Sequence, residues 1–123
     1  MASPYQTVGE VLEAIQSVTE FLPGEEPLNV NSVGIFGSHP LKVAVTWGDI
    51  TAVNLLIAAG AELNAKNEDG DTALHHAIRM GHFHVARRLV ELGANQAILN
   101  NEGKLARDYC WQEEWPSLGL ASA

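Results

Sequence analysis

The chain has 123 residues, 46% of them hydrophobic and 18% charged, with a formal net charge of −8 and a single cysteine, Cys110. That is one domain's worth of core; the acidic balance opposes the phosphates a nucleic-acid binder must attract, and one thiol makes neither an internal disulfide nor a thiolate cluster for zinc. No apolar run reaches the roughly 18 residues of a membrane span, and Met1-Ala2-Ser3-Pro4 lacks a secretory leader's basic start, so a soluble cytoplasmic protein without membrane contact is expected.

Thr7-Val8-Gly9-Glu10 has the form of a capping box, in which the threonine hydroxyl accepts the N–H three residues on and the glutamate reaches back. It predicts a helix from about Val8, with an apolar stripe of Val8, Val11, Leu12, Ile15, Val18 and Leu22 and a stop at Pro23-Gly24. A short helix is expected over about 41–47, a turn at Gly48-Asp49, a longer helix over about 51–59 and a close at Gly60-Ala61. The same elements return at about 73–80, Gly81-His82, about 84–92 and Gly93-Ala94. A last helix follows Gly103 and is cut off near Pro116. It is expected to carry Trp111 and Trp115 one turn apart, as a lid over the open end of a stack.

These elements recur because the chain repeats itself. Gly37, Gly70 and Gly103 are 33 residues apart, and Gly37-Ser38-His39-Pro40-Leu41-Lys42-Val43-Ala44 lies without a gap over Gly70-Asp71-Thr72-Ala73-Leu74-His75-His76-Ala77. A period of 33 with a Thr-x-Leu-His-x-Ala core resembles the ankyrin repeat family, over about 28–111. The resemblance implies an all-α solenoid of helix-turn-helix units with short turn tips. Its expected divisions are 1–36 as a capping helix with a degenerate half repeat, 37–69 and 70–102 as full repeats, and 103–123 as a truncated capping repeat with a tail. A single unit cannot bury its apolar face, so neighbours must stack.

Members of that family are typically protein-binding scaffolds that make contact through turn tips and the first helix of each unit. Carried over by register, the tip positions are Ile35, Phe36 and Ser38; Glu68, Asp69 and Asp71; and Asn101, Glu102 and Lys104. The ends of the first helices supply Thr46, Trp47, Arg79 and Met80. The expected contact set is Phe36, Ser38, Thr46, Trp47, Glu68, Asp69, Asp71, Arg79, Met80, Glu102 and Lys104. Trp47 has two readings, packing against Met80 or anchoring a partner. The chain departs from the family pattern at His39 and Lys42, where Thr and His are preferred. Arg88 replaces a leucine still present as Leu55, and Arg107 stands where Leu41 and Leu74 do.

Four clustered histidines, His75, His76, His82 and His84, raise a metal site, but a zinc set on one helix needs spacing of i and i+4. The family resemblance implies a turn-bracing role for His75 and His82, and neither metal nor cofactor is expected. Cys110 falls in register with Ala44 and Ala77 and reads as a small core thiol. No phosphate loop, nucleophile elbow or HExxH occurs, so catalysis is not expected. The function expected is non-catalytic protein binding by a monomer through a concave face, with a basic partner. The alternative is an immunity or antitoxin protein that neutralises a basic toxin enzyme.

Overall fold

A computed structural model describes residues 4–17, 29–34, 37–111 and 114–119. Helix α1 spans Val8–Gln16, and both halves of its capping box are present: Glu10 N donates to Thr7 Oγ1 at 3.2 Å and Thr7 N to Glu10 Oε1 at 3.1 Å. It buries Val11 and Ile15 and closes at Ser17, whose N–H and hydroxyl both return to the Ala14 carbonyl. Val18, Leu22 and the expected stop at Pro23-Gly24 lie outside the described residues.

The first full unit contains α2 (Pro40–Trp47) and α3 (Ile50–Ala58), the second α4 (Ala73–Arg79) and α5 (Phe83–Glu91). The boundaries fall within two residues of expectation, for local reasons. Pro40 has the fixed φ suited to a first helical position and needs no N–H partner there. Asp49 caps α3 early by accepting from Ala52 N at 3.1 Å.

Helices α2 and α4 pack side by side as an inner row, and α3 and α5 as an outer one, with α1 against α2 and α3. The buried pairs repeat with the period: Leu41 with Leu74, Ala44 with Ala77, Val45 with Ile78, Ala52 with Val85, Val53 with Ala86, and Leu56 with Leu89. Each large member contributes about 1.5–3 kcal/mol by leaving water, while the alanines let helices approach closely. Among the described residues every regular element is helical.

The turn tips repeat just as closely. Gly34 N donates to Ser38 O at 2.7 Å, Asn67 N to Asp71 O at 3.0 Å, and Asn100 N to Lys104 O at 2.9 Å. The tip glycine is required twice over. Gly37 and Gly70 have φ of 70° and 77°, and a Cβ on either would meet the next unit's backbone, 2.9 Å from Glu68 N and 2.8 Å from Asn101 N. Loop asparagines join the units on the other side: Asn31 Oδ1 accepts from Glu62 N at 2.9 Å, and Asn64 Oδ1 from Asn95 N at 2.8 Å.

The third unit departs from expectation. In place of one helix there is a 3₁₀ turn, Ala106–Tyr109, then an extended Cys110, then the short helix α6 (Trp115–Leu118). Trp115 is half-buried, donating its indole N–H to Arg107 O at 3.1 Å, and α6 packs on α5. Trp111 is no lid; it is 80% exposed. Cys110 is half-buried, unlike Ala44 and Ala77, because the backbone has already left the helical path.

Candidate protein-binding face

The second turn tip, the C-terminal half of α4 and Lys42 of α2 surround an open groove of about 380 Å³, lined by Lys42, Asn67, Asp69, Asp71, His76, Arg79 and Met80. Two of its lining residues, Asp71 and Arg79, belong to a polar network. Arg79 Nη1 donates to Asp71 Oδ2 at 2.6 Å, and Asn100 Nδ2 donates to Asp71 Oδ1 at 2.9 Å and to Tyr109 Oη at 2.7 Å. The Arg79 guanidinium also lies 4.9 Å from the Tyr109 ring centroid. Asp71 is only 5% exposed, and these partners satisfy both of its carboxylate oxygens.

This placement revises part of the expected contact set. Asp71 and Ser38 are buried, and their side chains do not face solvent. Asp71 looked like an exposed tip acid, but its neighbours fold over it. Arg79 is partly exposed yet committed to Asp71. Phe36 lies outside the described residues. Thr46, Trp47, Glu68, Asp69, Met80, Glu102 and Lys104 are exposed, and of these Asp69 and Met80 line the groove.

Tyr5, ahead of α1, stacks on Trp47 with ring centroids 5.9 Å apart and planes 20° from parallel. That leaves the indole 37% exposed. Tyr5, Asn67 and Asn100 were not singled out by the sequence. The two asparagines carry a readable signal, the 33-residue spacing, and each side-chain oxygen accepts two tip N–H groups at 2.9–3.0 Å.

The histidines bridge repeats. His75 Nδ1 accepts from Thr72 N at 3.2 Å, and its Nε2 reaches Lys104 O at 3.0 Å in the next unit. His76 Nε2 meets Thr46 Oγ1 at 2.7 Å, His82 Nε2 meets Thr46 O at 3.1 Å, and His84 Nε2 meets Gly48 O at 2.9 Å, all in the previous unit. Among the described residues no three His, Cys, Asp or Glu side chains converge as a metal set. Arg88, out of place for a leucine, donates to Asn54 Oδ1 at 2.8 Å on the preceding outer helix. No helix among the described residues is long and apolar enough to cross a membrane.

Stacked helix pairs joined at tips and loops define a helical repeat scaffold. The chain belongs to the ankyrin repeat family: the family pattern described as ankyrin repeats (3 copies) matches residues 12–112. Among its relatives, protein phosphatase 1 regulatory subunit 27 of Mus musculus is 31% identical over 94 residues, covering 76% of this chain and 60% of the relative. The Homo sapiens protein of the same name is 34% identical over 86 residues, covering 66% and 56%. Ankyrin repeat domain-containing protein 40 of Mus musculus is 36% identical over 66 residues, covering 53% of this chain and 18% of the relative. The chain thus spans under two thirds of the length of these relatives. Ankyrin repeats are protein-protein interaction modules, and this chain is built of them.

Proposed function

We propose that the chain is a non-catalytic binding module that seats a protein partner across the turn tips and inner helix ends of its repeats. The observation that carries this reading is the groove of about 380 Å³ spanning both full units. Met80 and Asp69 line it, and Trp47, one period before Met80, and Glu68 are exposed. An apolar centre with a polar rim is the make-up of a protein interface. The Asp71, Arg79, Asn100 and Tyr109 network supports it further, because a mouth held in shape before binding loses less entropy on binding.

The partner is basic, in keeping with the net charge of −8. The regulatory-subunit relatives support an enzyme as that partner, steered by binding. The free module is a cytoplasmic monomer. Neutralising a basic toxin enzyme is a special case of this reading and adds no residue to the site.

The test is affinity capture with mass spectrometry using three forms of the chain. Wild type and the outer-helix variant Arg87→Ala should retain the same partner, while Trp47→Ala with Met80→Ala should weaken it by about 2 kcal/mol or more. Loss with Arg87→Ala and retention with the rim variant would move the interface to the outer row.

A further inference from the structure

A second surface opens where the third unit leaves the repeat register. Phe83, Asp108, Tyr109, Cys110, Trp111 and Glu114 line an open groove of about 480 Å³ that shares no lining residue with the mouth groove. Trp111 falls in register with Val45 and Ile78, which are 0% and 3% exposed, yet it is itself 80% exposed, and Phe83 beside the groove is 36% exposed. A large indole left in water next to a concavity marks an interaction surface, because tryptophan supplies apolar area at little cost in side-chain entropy.

The groove's charge narrows what fits. Its two ionisable carboxylates, Asp108 and Glu114, are both acids, and no Lys or Arg lines it among the described residues. Two arginines lie against its aromatic surroundings: the Arg79 guanidinium, ion-paired to Asp71, is 4.9 Å from the Tyr109 ring centroid, and that of Arg107 is 5.3 Å from the Trp115 centroid. Burial pushes the Cys110 thiol above its ordinary value, a bond with Trp115 opposes the shift, and the Glu114 charge adds to it, so this carboxylate's field is felt inside the groove. Aromatic walls with carboxylates complement a segment that is apolar and cationic at once. A second copy of a chain with net charge −8 is a poor match to them.

We propose that this groove docks a basic amphipathic peptide segment of a protein partner, with an apolar side chain on Trp111 and Phe83 and flanking Lys or Arg side chains toward Asp108 and Glu114. It shares no lining residue with the inner groove, though Tyr109 also meets Asn100 and Arg79 beside that one, and the Met80→Ala and Trp111→Ala variants tell the two sites apart.

The test is fluorescence anisotropy with the full chain and a fluorescein-labelled hexapeptide of alternating Lys and Leu or Phe. The expected result is saturable binding that falls at least tenfold with Trp111→Ala, and likewise with Asp108→Asn combined with Glu114→Gln, while Met80→Ala leaves it unchanged. Unaltered melting of Trp111→Ala checks that the fold survives. The proposal is overturned if none of the forms binds up to about 1 mM, if a hexapeptide with Glu for Lys binds equally well, or if the groove variants bind like wild type. Sedimentation showing a dimer that Trp111→Ala dissolves would also overturn it, by making a second copy the occupant.

Discussion

Ile78 and Trp111 hold the same place in successive units, yet one is 3% exposed and the other 80%. Their surroundings explain the difference. In the second unit Thr72 and His75 close both halves of a cap, Leu74 anchors the helix in the core, and α4 runs seven residues. In the third, Leu105 and Asp108 occupy those cap positions. The Asp108 carboxylate still takes the Leu105 N–H, at 2.7 Å, as His75 takes that of Thr72. Arg107 replaces Leu74, however, and one 3₁₀ turn is all that forms. A cap starts a turn, whereas a buried anchor continues it into a helix.

The comparison breaks most plainly at the anchors. Leu74→Ala and Ile78→Ala should each lower the unfolding free energy by about 2–5 kcal/mol in urea denaturation; a loss below about 1 kcal/mol would mean that the second unit is not held by its apolar face. His75→Ala should cost about 1–3 kcal/mol, since it orphans the buried Thr72 N–H and removes one of the two bonds to the Lys104 carbonyl. Hydrogen exchange sharpens the point: tip amides of both the second and third units should lose protection in that variant, because the bond crosses between them.

A smaller effect is expected from Arg79→Ala, about 1 kcal/mol, because Asp71 keeps Asn100 and the arginine is partly exposed. Thermal melts should separate it from Arg79→Lys, which keeps the charge but not the fork. At the bottom of the scale, Trp111→Ala should change stability by no more than about 0.5 kcal/mol. Cys110 should alkylate slowly at neutral pH and speed up as pH rises past the range of an ordinary thiol, since burial favours its protonated form. Rapid labelling at pH 7 would contradict that protonation state.

The helices and their order were legible because each depends on local chemistry. Thr7 and Glu10 cap α1, Thr72 and His75 cap α4, and Gly37 and Gly70 meet a constraint that recurs with the period. The face was less legible where distant residues decide burial. Asp71 reads as a solvated tip acid until the amide of Asn100, 29 residues on, is brought to it. Tyr5 lies ahead of any helix and outside the repeat, so no periodicity pairs it with Trp47. The third unit misled because register alone placed Trp111, while Arg107 had already removed the anchor that keeps register.

The loop asparagines have a consequence for how such a chain grows. Asn31 holds Glu62 and Asn64 holds Asn95, each reaching 31 residues ahead. Because every such joint lies between one block and its successor, a tandem duplication of 33 residues copies the peg together with the socket. Lengthening the gene by whole blocks therefore needs no new joint to be invented, whereas an insertion of another length between peg and socket keeps the joint only if a loop takes it up.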